Sequence, residues 1–83
     1  MFKAKIDVTL KKSVLDPQGQ TVLQALHSLG YGTVDALRVG KHFEMTLQSE
    51  DRKRAESEIK LMCERLLVNP VIEQYTVELE ELR

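Results

Sequence analysis

Arg38, Lys41 and His42 fall within five residues of one another. A guanidinium, an ammonium and an imidazole grouped on a short loop could hold an anion or grip carboxylates on a partner protein. A solvated loop tip accounts for the same residues without any ligand. The second stretch with chemistry in it is Asp16-Pro17-Gln18-Gly19. Asp16 can accept hydrogen bonds from the free N–H groups of a helix's first turn, which makes it an N-cap. Pro17 then stands where its missing N–H costs nothing. Gly19 is not explained by helix propensity. It fits a tight strand-to-helix corner, or close approach of a partner's backbone or an anion at the helix start.

Other candidates are weaker. His27 is isolated, with no second His or Cys at metal-ligand spacing. Cys63 lies beside an apolar stripe and has only Lys60 as a cationic neighbour on its helical face, so it reads as a packing residue. There is no G-x-x-x-x-G-K-[ST], no G-x-G-x-x-G, no C-x-x-C and no serine in a recognisable nucleophile motif. No catalytic, cofactor-binding or metal-binding residue is therefore assigned.

The bulk numbers narrow the class further. Eighty-three residues make one domain, 1–83, with a thin core that oligomerisation would support. A net charge of -1 gives no electrostatic case for nucleic acid. Residues 1–42 carry six Lys/Arg against three Asp/Glu, and residues 43–83 six against ten, so a mildly basic face is set against an acidic end. A single cysteine allows no internal disulfide, and no secretory or membrane-spanning stretch is visible. The expectation is a cytoplasmic protein that meets no membrane.

Strict alternation predicts the first strand over residues 2–11, with Phe2, Ala4, Ile6, Val8 and Leu10 on one face and a lysine-rich face opposite. Residues 17–29 form a helix with Val22, Leu23, Ala25, Leu26 and Leu29 on its apolar side, closed by Gly30 as a left-handed C′ residue. A second strand is expected over 34–39 and a third over 42–48, joined into a hairpin at Gly40-Lys41. Ala55, Ile59, Met62 and Leu66 mark a second helix over 50–67, which Asn69-Pro70 ends. The last strand runs over 71–80. The order β-α-β-β-α-β predicts an α+β, ferredoxin-like sandwich: a four-stranded antiparallel sheet with two helices on one face. The other, polar face of that sheet is free to pair with a second copy. The outward residues of the central strands include no aromatics, which argues against base stacking on RNA.

The motif string is more specific than the fold. L-K-x-S-V-L-D-P-Q-G (Leu10 to Gly19), A-L-H-S-L-G-Y (Ala25 to Tyr31), R-V-G-K (Arg38 to Lys41) and M-C-E-R-L-L-V-N-P-V-I-E-Q-Y (Met62 to Tyr75) follow in order. Together they resemble the PurS family, the small subunit of phosphoribosylformylglycinamidine synthase. The resemblance implies a role in de novo purine synthesis, where the complex converts formylglycinamide ribonucleotide to the amidine with ATP and glutamine. It implies a chain without an active site, bridging a PurQ glutaminase and a PurL synthetase and assisting ammonia transfer. ATP and magnesium would be held by the synthetase and no cofactor by this chain, which would form a homodimer or homotetramer. The positions matching the family blocks are Asp16, Pro17, Gln18, Gly19, Arg38, Gly40, Lys41, Asn69 and Pro70. Arg38, Gly40 and Lys41 are the expected subunit interface, and the others are expected to be mainly structural.

Two alternatives share the element order. An ACT-like regulatory module would bind a small molecule near a glycine after the first strand, but D-P-Q-G is not its pattern. An acylphosphatase-like enzyme would need a phosphate-holding arginine and asparagine, and the first turn here offers Asp16 instead.

Overall fold

The computed structural model describes residues 1–82. Strand β1 (Phe2–Leu10) leads to helix α1 (Pro17–Ser28), strand β2 (Gly40–Leu47), helix α2 (Arg52–Met62), a π-helical turn (Cys63–Leu67) and strand β3 (Glu73–Glu81). Among the described residues the sheet has three strands, in the order β2-β1-β3, with β1 antiparallel to both neighbours. The alternation read in residues 2–11 is observed: Phe2, Ala4, Ile6 and Val8 are all buried. Period-two side chains put them on one face, toward α2. They form the core with Leu47, Ile59, Cys63 and Val68. The open face carries Lys3, Lys5 and Asp7 beside Thr46, Glu44 and His42 on β2 and Glu80, Glu78 and Thr76 on β3.

The expected four-stranded sheet is corrected to three strands, because residues 34–39 do not form a strand. Nor do Gly40 and Lys41 reverse the chain: they open β2 and pair with Thr9 and Val8. The physical reason lies in the register. With Thr9 opposite Gly40 and β1 ending at Leu10, residues 34–39 run past the end of their only available neighbour. Side chains satisfy their backbone groups instead, as buried or half-buried peptide groups require. Asp16 accepts the Val39 N–H at 2.9 Å, and His27 Nε2 donates to the Val34 carbonyl at 2.8 Å.

Helix α1 begins as expected, with Asp16 as N-cap and Pro17 in the first turn, and Gly30 takes the left-handed φ of 101° after it. Its expected packing is corrected. Leu23 is buried and Leu26 half-buried, but Val22, Ala25 and Leu29 are exposed, and no residue of α1 belongs to the core cluster. A nine-residue strand spans about 30 Å and a 12-residue helix about 18 Å. The longest dimension of the molecule is 50 Å, so α1 continues beyond the end of the sheet instead of lying across it. Helix and returning segment 34–39 form an arm, tied by Asp16 at its base and His27 further along.

The second helix is expected over 50–67. Its α-helical part stops at Met62 and the π turn follows. The turn closes with the Val68 N–H donated to the Cys63 carbonyl at 2.9 Å, five residues back. The wider turn rotates the stripe, burying Cys63 and Val68 and leaving Leu66 83% exposed.

Candidate functional site

Three of the four sequence blocks, which stand apart in the chain, meet at one end of β1. The corner after β1 is built by Asp16. One carboxylate oxygen accepts the Gly19 N–H at 2.9 Å and the other accepts the Val39 N–H at 2.9 Å. One side chain thus caps α1 and fastens the R-V-G-K stretch beside it. These two bonds, and behind them the Arg38 charge, hold the Asp16 carboxyl below its ordinary pKa. Gly19 is needed for this close approach, since a Cβ there would lie 2.6 Å from Asp16 Oδ2 and 2.7 Å from the Leu37 carbonyl. The close neighbour is the chain's own returning segment, within the tight corner that turn chemistry suggests.

Gly40 is constrained in a similar way: a Cβ would run into the Val8 carbonyl and the Thr9 methyl. Arg38 Nη2 donates to the Lys11 carbonyl at 3.0 Å. Lys11 in turn reaches the N-P-V-I-E block. Its Nζ donates to the Pro70 carbonyl at 2.8 Å and its backbone N–H to the Ile72 carbonyl at 2.8 Å. Lys41 Nζ lies 3.5 Å from Glu73 Oε2, and Glu73 Oε1 accepts the Asn69 N–H at 2.7 Å. Asn69 closes the turn, its Oδ1 accepting the Val71 N–H at 3.1 Å.

Asp16, Gly19, Arg38, Gly40, Lys41, Asn69 and Pro70 are thereby brought into one connected corner. Gln18 lies beside it, lining a cleft of about 190 Å³ with Asp16, Gly40, Lys41 and Glu73. Pro17 faces the other way and lines a shallow apolar recess with Val22 and Val39. Two members went unassigned from sequence: Lys11 and Glu73. Both lie inside the quoted blocks. The available signal for Glu73 was its place four residues after Asn69, and for Lys11 a lysine at the end of an otherwise alternating strand.

The expected cationic cluster is divided. Arg38 and Lys41 belong to the corner, whereas His42 points to the open face of the sheet. There its Nδ1 meets Asp7 Oδ1 at 2.6 Å and its Nε2 lies 3.6 Å from Glu44. The hydrogen bond to Asp7 raises the imidazole above its ordinary pKa. Cys63 is buried in the core, and burial pushes its thiol up, away from the reactive thiolate. Among the described residues no three His, Cys, Asp or Glu side chains are grouped to hold a metal.

This corner does the chemistry of fastening. Its carboxylates and cations are aimed largely at backbone groups of the chain itself. It is a rigid junction on a small α+β scaffold of two helices and a sheet. Residues 3–81 match the profile of PurS, described as phosphoribosylformylglycinamidine (FGAM) synthase. The chain is similar to the phosphoribosylformylglycinamidine synthase subunit PurS of Bacillus subtilis, at 50% identity over 99% of this chain and 96% of that one. It superposes on the crystal structure of Methanocaldococcus jannaschii PurS with a TM-score of 0.90 and 35% identity, covering 100% of both chains. It is also similar to a chain of the PurLQS structure from Thermotoga maritima, with a TM-score of 0.88, 38% identity, and coverage of 95% of this chain and 96% of that one. The chain belongs to the PurS family of phosphoribosylformylglycinamidine synthase subunits.

Proposed function

We propose that this chain is the non-catalytic small subunit of a phosphoribosylformylglycinamidine synthase complex, bridging a PurQ glutaminase and a PurL synthetase. In that role it helps ammonia pass from the glutaminase to the synthetase without loss to water, which requires closely packed subunits around the path. The synthetase holds ATP, magnesium and the ribonucleotide, and this chain binds no cofactor. It acts as one domain over residues 1–83, in the cytoplasm, as a homodimer or homotetramer, apart from nucleic acid and membranes. The observation that carries the reading is the junction itself: most of the residues that match the family blocks tie backbone segments together, and three of the four blocks meet at one corner. Likeness to a chain of the PurLQS structure supports the same reading.

Arg38 and Lys41 are the proposed contacts to a partner subunit. Arg38 commits one N–H to the Lys11 carbonyl, out of the five its guanidinium carries. The Lys41 side chain is 55% exposed while Glu73 is only 15% so, and at 3.5 Å their pair leaves the ammonium within reach of a partner carboxylate as well.

The test is amidine synthesis by purified PurL and PurQ, with and without this chain, driven by glutamine or by ammonia. Glutamine-driven synthesis that needs the chain, with ammonia-driven synthesis less dependent on it, is the expected outcome. Full activity from both nitrogen sources in its absence would refute the bridging role. The double variant Arg38→Ala/Lys41→Ala is expected to keep its fold by circular dichroism and to weaken assembly with PurL and PurQ in analytical ultracentrifugation. Assembly as strong as that of the native chain would remove these two residues from the interface.

A further inference from the structure

The corner is positive on a chain whose net charge is -1. Lys11, Lys12, Arg38 and Lys41 lie at or beside it, against the carboxylates of Asp16 and Glu73. Both carboxylates are engaged by the chain itself. Asp16 accepts the Gly19 and Val39 N–H groups, one on each oxygen, and Glu73 accepts the Asn69 N–H and faces Lys41. Lys11 is likewise committed, to the Pro70 carbonyl. Lys12 and Arg38 differ. Both are exposed, and among the described residues neither forms an ion pair. Arg38 gives one N–H to the Lys11 carbonyl and keeps the rest of its fork for another acceptor.

These two cations share one cleft. It has a volume of about 610 Å³ and is formed by the loop after β1 and by residues 36–38 of the returning segment. Lys12, Leu15, Gln20, Leu37 and Arg38 are among its lining residues, and Asp16 is the one acid among them. Leu15 is 73% exposed and Leu37 half-buried. A single exposed leucine is ordinary. This one shares its cleft with two cations that lack ionic partners, and an apolar centre with a polar rim is the make-up of a protein interface. The walls are also held in place beforehand, because Asp16 ties the loop to the returning segment through Val39 and Arg38 ties it back to Lys11. A partner that docks there loses little conformational freedom in ordering the site.

We propose that this cleft receives an acidic-apolar segment of a partner subunit: one apolar side chain set over Leu15 and Leu37, flanked by carboxylates that meet Arg38 and Lys12. The Arg38 fork matches a carboxylate with two parallel hydrogen bonds, and the Lys12 ammonium adds a point charge. Lys41, in the neighbouring small cleft with Glu73, contributes to the same positive field, which steers an acidic segment toward the corner. A free phosphate would engage the cations alone and leave both leucines in water, whereas a peptide uses all four residues. The inference rests on the bridging role proposed above. It deepens that role by stating the chemistry of the bound segment and by joining Lys12, Leu15 and Leu37 to Arg38.

The test uses the full chain with purified PurL and PurQ. Assembly of the native protein, followed by analytical ultracentrifugation, should weaken as sodium chloride is raised, because salt screens the exposed charges. Lys12→Glu should raise the assembly dissociation constant by about 10-fold or more and flatten that salt dependence. Leu15→Ser should weaken assembly alike at every salt concentration. Both positions are exposed, so circular dichroism and the sedimentation of the chain alone should match the native protein. A photo-crosslinking benzophenone amino acid in place of Leu15 should link to PurL or PurQ at a segment in which acids flank an apolar residue, as read by mass spectrometry. Native-strength assembly by both variants overturns the assignment while leaving bridging standing, as does a crosslink to a second copy of this chain or to a partner segment without acids. A native chain that does not assemble with PurL and PurQ overturns both.

Discussion

Helices α1 and α2 are nearly equal in length, 12 and 11 residues, and each carries an apolar stripe at helical spacing. Their fates differ. α2 places Ala55 and Ile59 in the core against the middle of the sheet, while α1 runs off its end with Val22 and Leu29 in solvent. An amphipathic pattern states that one face of a helix will be covered. It does not state by what.

The contrast can be sharpened first inside α2, on one predicted stripe. Ile59→Ala should cost about 3 kcal/mol, the transfer and cavity terms together. Leu66→Ala, at a position 83% exposed, should stay within about 0.5 kcal/mol. Urea unfolding at one fixed protein concentration measures both, and equal losses would show that the π turn does not rotate the stripe as described. Gly40→Ala tests the junction between the packed half and the arm. The added methyl meets backbone rather than a flexible side chain, so a loss of about 2 kcal/mol is expected in the same assay.

Asp16→Ala loosens the base of the arm and should lower Tm by about 4–8 °C, the response of a domain of this size to the loss of a cap. Its pH dependence has a defined sign. Because the folded carboxyl lies below its ordinary value of 3.8, the stabilisation is present above that pH and lost as pH falls through the depressed value. Native and Asp16→Ala curves should therefore converge at the acid end, and a constant gap down to the lowest pH would contradict the tether. The smallest effect is on the open face. His42 is raised by Asp7, so its contribution is present below 6.5 and fades as pH rises through its higher folded value. Asp7→Asn should move the His42 titration, followed by NMR, back toward 6.5.

Much of this was legible in the sequence, and the failures have a common cause. β1 was clear because five alternating apolar positions leave no other period, and Asp16-Pro17 marked the start of α1 through local chemistry alone. The strand expected over 34–39 was not local. It has the right residues, but β1 ends too soon to pair with it, and the side chains of Asp16 and His27 meet its backbone instead. The convergence of three motif blocks was invisible for the same reason: nothing near Arg38 or Asn69 in the chain says that Lys11 will join them. Glu73 looked like one more acid in an acidic strand until its two oxygens were seen shared between Lys41 and the Asn69 N–H.

The central place of β1 has a kinetic consequence. It is the earliest strand in the described chain, but both of its partners come later. Phe2 faces Leu47 on one side and Glu81 on the other, so the second pairing spans almost the whole polypeptide. Pairings so distant in sequence must close a large loop before they return any stabilisation, and chains rich in them fold slowly. During synthesis Ala4, Ile6 and Val8 wait uncovered until α2 arrives, and one edge of β1 stays unpaired until the last strand does. The lysines alternating with those residues then have a use before any fold exists, keeping a waiting strand from pairing with its neighbours.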